Sequence, residues 1–128
     1  MEEVDILSKD DAISEVKENG TSVEYFIFDE FEVHLNKIPP NSIQEWHKHK
    51  LIEEVIVVTD GELTISWKEN HSTQHKTLVK GNVVRVKKSA HTIQNDTDKF
   101  AEFNVFRMVP TGDNKRDIIK NDKTVIKE

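Results

Sequence analysis

The chain has 128 residues, enough for one domain and too few for two of ordinary size. Its 24 acidic residues outnumber 18 basic ones, for a formal net charge of −6, so it offers no broad positive field to collect the phosphates of nucleic acid or of an anionic membrane. It contains no cysteine, which excludes a disulfide framework, an iron–sulfur cluster, a thiolate zinc site and a cysteine nucleophile; six histidines become the informative count.

The first ten residues, MEEVDILSKD, contain no apolar run of secretory type, and the longest apolar stretch, Val55–Val58, is strand-sized. A soluble cytoplasmic protein is expected. Ser8 through Asn19 reads as a short helix within an N-terminal segment, residues 1–20. Ser8 caps it, Asp10 and Asp11 sit near the positive end of its dipole, Ala12, Ile13 and Val16 make an apolar stripe, and Gly20 ends it. From Val23 the pattern changes to short segments rich in Val, Ile, Phe and Thr, separated by turn residues. Strands are predicted at Val23–Phe28, Phe31–Ile38, Ile43–His49, Glu54–Thr59, Leu63–Trp67, Thr77–Val79, Val83–Val86, His91–Asn95 and Phe100–Val109. Many close-spaced strands without intervening helices make residues 21–110 an all-β sandwich or barrel. Pro39-Pro40-Asn41-Ser42 suits a turn with positive φ at Asn41, Asp60-Gly61 is a hairpin signal, and polar Lys68–Gln74 reads as a hairpin tip. Residues 111–128 form a charged C-terminal arm, folded over the barrel or laid on a partner, with Ile118, Ile119, Val125 and Ile126 as anchors.

His47 and His49 lie two apart on a predicted strand, so their side chains share a face roughly 6.6 Å apart along it. Two such imidazoles can converge on one ion at a bond length of about 2.1 Å. Glu53 and Glu54 follow after a turn-like interval, and His91 opens a later strand. Three neutral nitrogen donors and a carboxylate suit a divalent first-row metal with one or two positions left open. Without thiolates the expectation shifts to manganese, iron, nickel, copper or catalytic zinc. Strict alternation from His49 through Leu51 puts Glu53 on the ligand face.

The spacing Asn41, five residues, His47-Lys48-His49, four residues, Glu54, six residues, Gly61 resembles the first motif of the cupin superfamily. Gly81, nine residues, His91, three residues, Asn95 is similar to the second. The resemblance implies a single-domain jelly-roll barrel with His47, His49, Glu54 and His91 as metal ligands, and so favours Glu54 over Glu53. Asn41 stands where the family usually has glycine, and Lys87-Lys88-Ser89-Ala90 replaces a Pro-x-Gly stretch and is one residue shorter. With Glu54 inward, Ile56 and Val58 face the lumen while Val55 and Val57 pack outward. Trp46 also points out, and an apolar outer sheet face implies a homodimer, as cupins often form.

Two functions follow. One is a metal-dependent enzyme acting on a small polar metabolite, with oxygenase, isomerase, decarboxylase or lyase chemistry all compatible with the resemblance. The other is a non-catalytic module binding a sugar or other small molecule. A metal-free nucleotide-sugar isomerase or epimerase on the related fold fits less well, because the ligand set is intact. Glu53 and His34 are the candidate general bases by proximity or parity, and no catalytic residue is assigned. Asn95 reads as a structural turn residue in preference to a partner that supports the ligands, His71 and His75 as exposed. Phe103, Val105 and Arg107 share one face of their strand, and Glu102, Asn104, Phe106 and Met108 the other. Arg107 inside the pocket implies an anionic substrate; outside, it is a salt-bridged surface arginine.

Overall fold

The computed structural model describes residues 3–126. Its strands are β1 Ile13–Val16, β2 Ser22–Ile27, β3 Phe31–Ile38, β4 Ser42–Ile43, β5 Glu53–Asp60, β6 Glu62–Glu69, β7 Ser72–Val79, β8 Val83–Arg85, β9 His91–Asn95 and β10 Ala101–Met108, and one helix follows, α1 Arg116–Asn121. They form two sheets, ordered β1-β2-β3-β10-β5-β8 and β4-β9-β6-β7, with every pairing antiparallel. This is the expected jelly-roll. Among the described residues no helix is long and apolar enough to cross a membrane.

Alternation decides what goes inside. On β10, Ala101, Phe103 and Val105 are buried; on β5, Glu54, Ile56 and Val58 are. Phe103 pairs with Val58 on one side and Asn36 on the other, and Val105 with Ile56 and His34, so the inner face is built in rows across β5, β10 and β3. Ile38, Leu63, Ile65, Leu78 and Ile93 complete the core from both sheets. Burying Phe103 alone contributes about 2–3 kcal/mol. Val55 and Val57 are half-buried on the outer face, aligned with Phe106, Val33 and Leu35 by the same registers.

Four expectations are corrected. The segment Ser8–Asn19 is not a helix. Ser8 and Asp11 do form a capping box, but it closes only a 3-10 turn, Lys9–Asp11, after which Ile13–Val16 pairs with Ser22–Val23, Glu24 and Tyr25 as an edge strand. Ile13 and Val16 stay exposed, so no packed face existed to hold a helix together. Gly20 has φ +92 in the hairpin turn, a conformation that serves a hairpin as well as a helix end. Ile43–His49 is not a continuous strand either: only Ser42–Ile43 pairs with β9, and His47 then makes an isolated bridge to His91. Finally, the tip between β6 and β7 is much tighter than Lys68–Gln74. Asn70 and His71, at φ 48 and 66, make a two-residue turn, and Glu69 pairs directly with Ser72. In the C-terminal arm, α1 buries no residue, and Ile118, Ile119, Val125 and Ile126 are all exposed rather than folded over the barrel.

Candidate metal centre

His47 and His91 are locked together by their backbones. Each amide N–H donates to the other's carbonyl, at 3.1 and 3.0 Å. Asn41 makes this possible by taking φ 51 in the turn before β4, which starts the chain along β9 at the Ser42–Asn95 pair. Asn95 is wholly buried and ties the corner: its Nδ2 donates to the carbonyls of Lys99 (2.7 Å) and Ile38 (3.3 Å), and its Oδ1 accepts from Thr97 N and Oγ1. It is a structural residue. The altered loop before His91 places Lys87 at φ 55, and the Ser89 carbonyl lies 2.9 Å from His91 Nδ1.

Residues 50–52 turn the corner into β5, and parity restarts there. Glu54 points in, opposite Arg107 of β10. Glu53 points out, where its carboxylate accepts from Arg85 Nη2 at 2.7 Å and Nε at 2.9 Å. Glu53 is therefore neither in the cluster nor placed as a base for it.

The sequence-derived ligands come together. One donor atom each of His47, His49, Glu54 and His91 lies within 4.8 Å of all the others, a set that could hold a metal ion. Glu54 Oε2 is the hub, 2.9 Å from His49 Nε2, 3.3 Å from His91 Nε2 and 3.8 Å from His47 Nε2. Arg107 Nε donates to the other carboxylate oxygen at 3.2 Å.

The ring tautomers sharpen this picture. His91 Nδ1 faces the Ser89 carbonyl and His47 Nδ1 faces the Glu45 carbonyl at 3.3 Å; a carbonyl only accepts, so each Nδ1 carries the hydrogen. In the neutral rings both Nε2 atoms then present lone pairs towards the Glu54 carboxylate. Both are buried and have no hydrogen-bond partner. Lone pairs of three groups aimed at one point repel unless a cation or protons sit between them. Burial by itself would raise the Glu54 carboxyl, but the neighbouring His47 and His91 rings and the charge of Arg107 outweigh it and hold the group well below the usual carboxylate range. Glu54 correspondingly raises His47 against the effect of burial.

The cluster opens on a cavity of about 70 Å³ that is also lined by Lys17, Tyr25, His34, Asn36, Gln44 and Arg107 and continues into a cleft of about 760 Å³. His34 is buried, with Nε2 2.8 Å from Glu32 Oε1 and its ring edge-on to Tyr25 at 4.6 Å. Burial lowers its pKa, against the pull of Glu32. The Tyr25 hydroxyl donates to Glu15 Oε2 at 2.7 Å, and burial together with that carboxylate pushes its pKa up to about 12. His71 and His75 are exposed, the latter bonded to Ser66 Oγ at 2.7 Å. Lys17, Tyr25 and Gln44 had not been singled out from sequence. Tyr25 was within reach, since it is the cross-strand neighbour of His34; Lys17 was hidden by the helix assigned around it.

A two-sheet antiparallel jelly-roll with three histidines and a carboxylate gathered inside is the cupin architecture, and the chain has that fold. Solved structures bear this out. A Cupin 2 conserved barrel domain protein from Salinispora arenicola aligns over 84% of this chain and 90% of its own, with TM-score 0.67 and 17% identity. CENP-C of Drosophila melanogaster, in a structure bound to CAL1, aligns over 80% of each chain with TM-score 0.70 and 17% identity. An oxalate decarboxylase variant from Bacillus subtilis aligns over 84% of this chain and 30% of its own, with TM-score 0.69 and 16% identity. No family model and no curated protein matches the sequence. Likeness at these identities is likeness of fold, and the three proteins' own names already differ in function.

Proposed function

We propose that the protein is a metal-binding cupin in which His47, His49, Glu54 and His91 hold one divalent transition ion (manganese, iron, nickel, copper or zinc) and that it acts on a small polar metabolite in the barrel cavity. The observation that carries this reading is the pair of buried, unpartnered Nε2 atoms of His47 and His91 facing the Glu54 carboxylate. An all-nitrogen-and-oxygen donor set of this kind suits a borderline divalent ion. When bound, such an ion supplies Lewis acidity and open positions for substrate oxygens.

The chain's own residues do the rest. The Glu45 and Ser89 carbonyls fix the tautomers of His47 and His91, so the Nε2 lone pairs stay aimed at the centre. Arg107 holds Glu54 Oε1 and leaves Oε2 turned towards the three rings. Ile56, Ile93, Phe103 and Val105 wall the cavity and keep bulk water from its inner end. The half-buried apolar band on the outer face of the larger sheet, with exposed Val83 beside it, supports a homodimer through that face.

A non-catalytic ligand-binding barrel is the alternative. It is favoured by one observation: the two titratable groups of the cavity outside the cluster and its arginine and lysine, His34 and Tyr25, are both already engaged by carboxylates. Elemental analysis of protein purified without a histidine tag tests the metal reading. Stoichiometric metal in the wild type, lost in His47→Ala and His91→Ala, supports it; wild-type protein that neither carries metal nor binds any when supplied refutes it. Turnover or oxygen uptake over a metabolite panel then separates enzyme from binder.

A further inference from the structure

Building on the metal reading above, we infer that the ligand taken at this centre is a small carboxylate, held with its anionic group against Arg107 and Lys17. Arg107 reaches the cavity from β10 and spends only its Nε on Glu54; among the described residues its two terminal nitrogens make no other hydrogen bond. Arg107 lines both the inner cavity and the cleft outside it. A guanidinium presents two parallel N–H donors in a fork whose spacing matches the two oxygens of a carboxylate.

The charge pattern points the same way. Among the described residues Glu54 is the only carboxylate lining the inner cavity, whereas Lys17 and Arg107 both line it. A divalent ion would more than cancel Glu54, leaving the inner chamber strongly positive. The nearest other carboxylates are committed elsewhere: Glu15 accepts from the Tyr25 hydroxyl, and Glu32 lies against His34. Glu18 and Glu45 line only the wider cleft, where Lys48 accompanies them. An excess of cationic side chains around this chamber, in a chain of net charge −6, is a local feature and not a by-product of overall composition.

Size limits the ligand. About 70 Å³ holds an ion and a few further non-hydrogen atoms, so a carboxylate with an adjoining oxygen-bearing carbon fits the inner chamber. Anything larger must extend into the cleft of about 760 Å³. Lys17 sits where these two spaces meet, delivered by the β1–β2 hairpin, in which its N–H donates to the Thr21 carbonyl at 2.9 Å.

The test is calorimetric titration of manganese-loaded protein with pyruvate and malonate, beside their neutral counterparts pyruvamide and malonamide. The same samples are assayed for metal content, and Arg107→Gln, Arg107→Lys and Lys17→Met are run in parallel. The carboxylates should bind at least about tenfold tighter than the amides. Arg107→Gln should cost about 10- to 100-fold in carboxylate affinity, and Lys17→Met a smaller factor, with the metal retained. Equal binding of acids and amides by metal-loaded wild type overturns the inference while leaving the metal reading intact. So does carboxylate affinity unchanged in Arg107→Gln and Lys17→Met. Should Arg107→Gln lose metal because Glu54 is released, Arg107→Lys and Lys17→Met decide the question by the same criterion. Wild-type protein that takes up none of manganese, iron, nickel, copper or zinc fails in the metal assay, before any ligand is added, and overturns both.

Discussion

Exchanging each glutamate of the adjacent pair for glutamine separates the inner carboxylate from the outer one. Glu54 is 3% exposed and faces His47, His49, His91 and Arg107, whereas Glu53 meets only Arg85 at the surface. Glutamine preserves the shape at either position and removes the charge. Disturbing groups that merely support a metal ligand costs 10–100-fold in affinity, so loss of the carboxylate itself should cost at least ~100-fold. Metal supplied at a hundred times the wild-type dissociation constant stabilises the fold by about 2.7 kcal/mol. At about 4 °C per kcal/mol for a chain of this size, the wild-type Tm should rise by about 10 °C. The same metal concentration then only matches the dissociation constant of Glu54→Gln, which leaves ~0.4 kcal/mol and a rise of less than about 2 °C. Glu53→Gln should keep the full rise. Thermal melts with and without metal measure all three. A rise that survives in Glu54→Gln and vanishes in Glu53→Gln would refute the assignment, and with it the restart of parity at β5.

The metal-free cluster has its own signature. His47 is raised from 6.5 by Glu54, so its contribution to stability is present below that value and is lost as pH rises through the raised one. In chelator, the Tm difference between wild type and His47→Ala should therefore shrink from pH 6 to pH 8, and a difference that grows instead would contradict the coupling of His47 to Glu54. Asn95→Ala strands buried partners at Lys99, Ile38 and Thr97 and should cost about 2–3 kcal/mol in chemical denaturation; a cost near zero would show that the corner is held by something else. Gly61→Ala and Gly81→Ala share the strain of positive φ, about 1–3 kcal/mol each. At Gly61 a Cβ would also come within 3.0 Å of Ala101 Cα and the Phe100 carbonyl, while at Gly81 it would meet nothing. Gly61→Ala should thus be the more destabilising of the two, and the reverse order would count against the packing of β5 on β10.

Much of the site was legible because its spacing survives the details of secondary structure. His47 and His49 share a face although the strand expected there is mostly irregular, because two residues of extended backbone give the same projection with or without a ladder. Glu54, against strict alternation, is the glutamate that faces the cluster, because residues 50–52 form a corner across which alternation carries no information. Ile56 and Val58 then followed as lumen residues. The N-terminal segment was misread for a physical reason. Its capping signals are real and do form one turn, but only tertiary pairing reveals that Ile13 and Val16 bury nothing, that Tyr25 bonds to Glu15 and that Lys17 lines the cavity. Arg107 was undecided from sequence because strand parity cannot say which face is inside; the register of β10 against Glu54 decides it.

Anomalous diffraction from crystals grown with manganese or zinc tests the central claim most directly. A single strong peak is expected about 2.0–2.2 Å from His47 Nε2, His49 Nε2, His91 Nε2 and a Glu54 oxygen, with Nδ1 of His47 and His91 still facing the Glu45 and Ser89 carbonyls. No peak there, or one held by His71 or His75 alone, would contradict it.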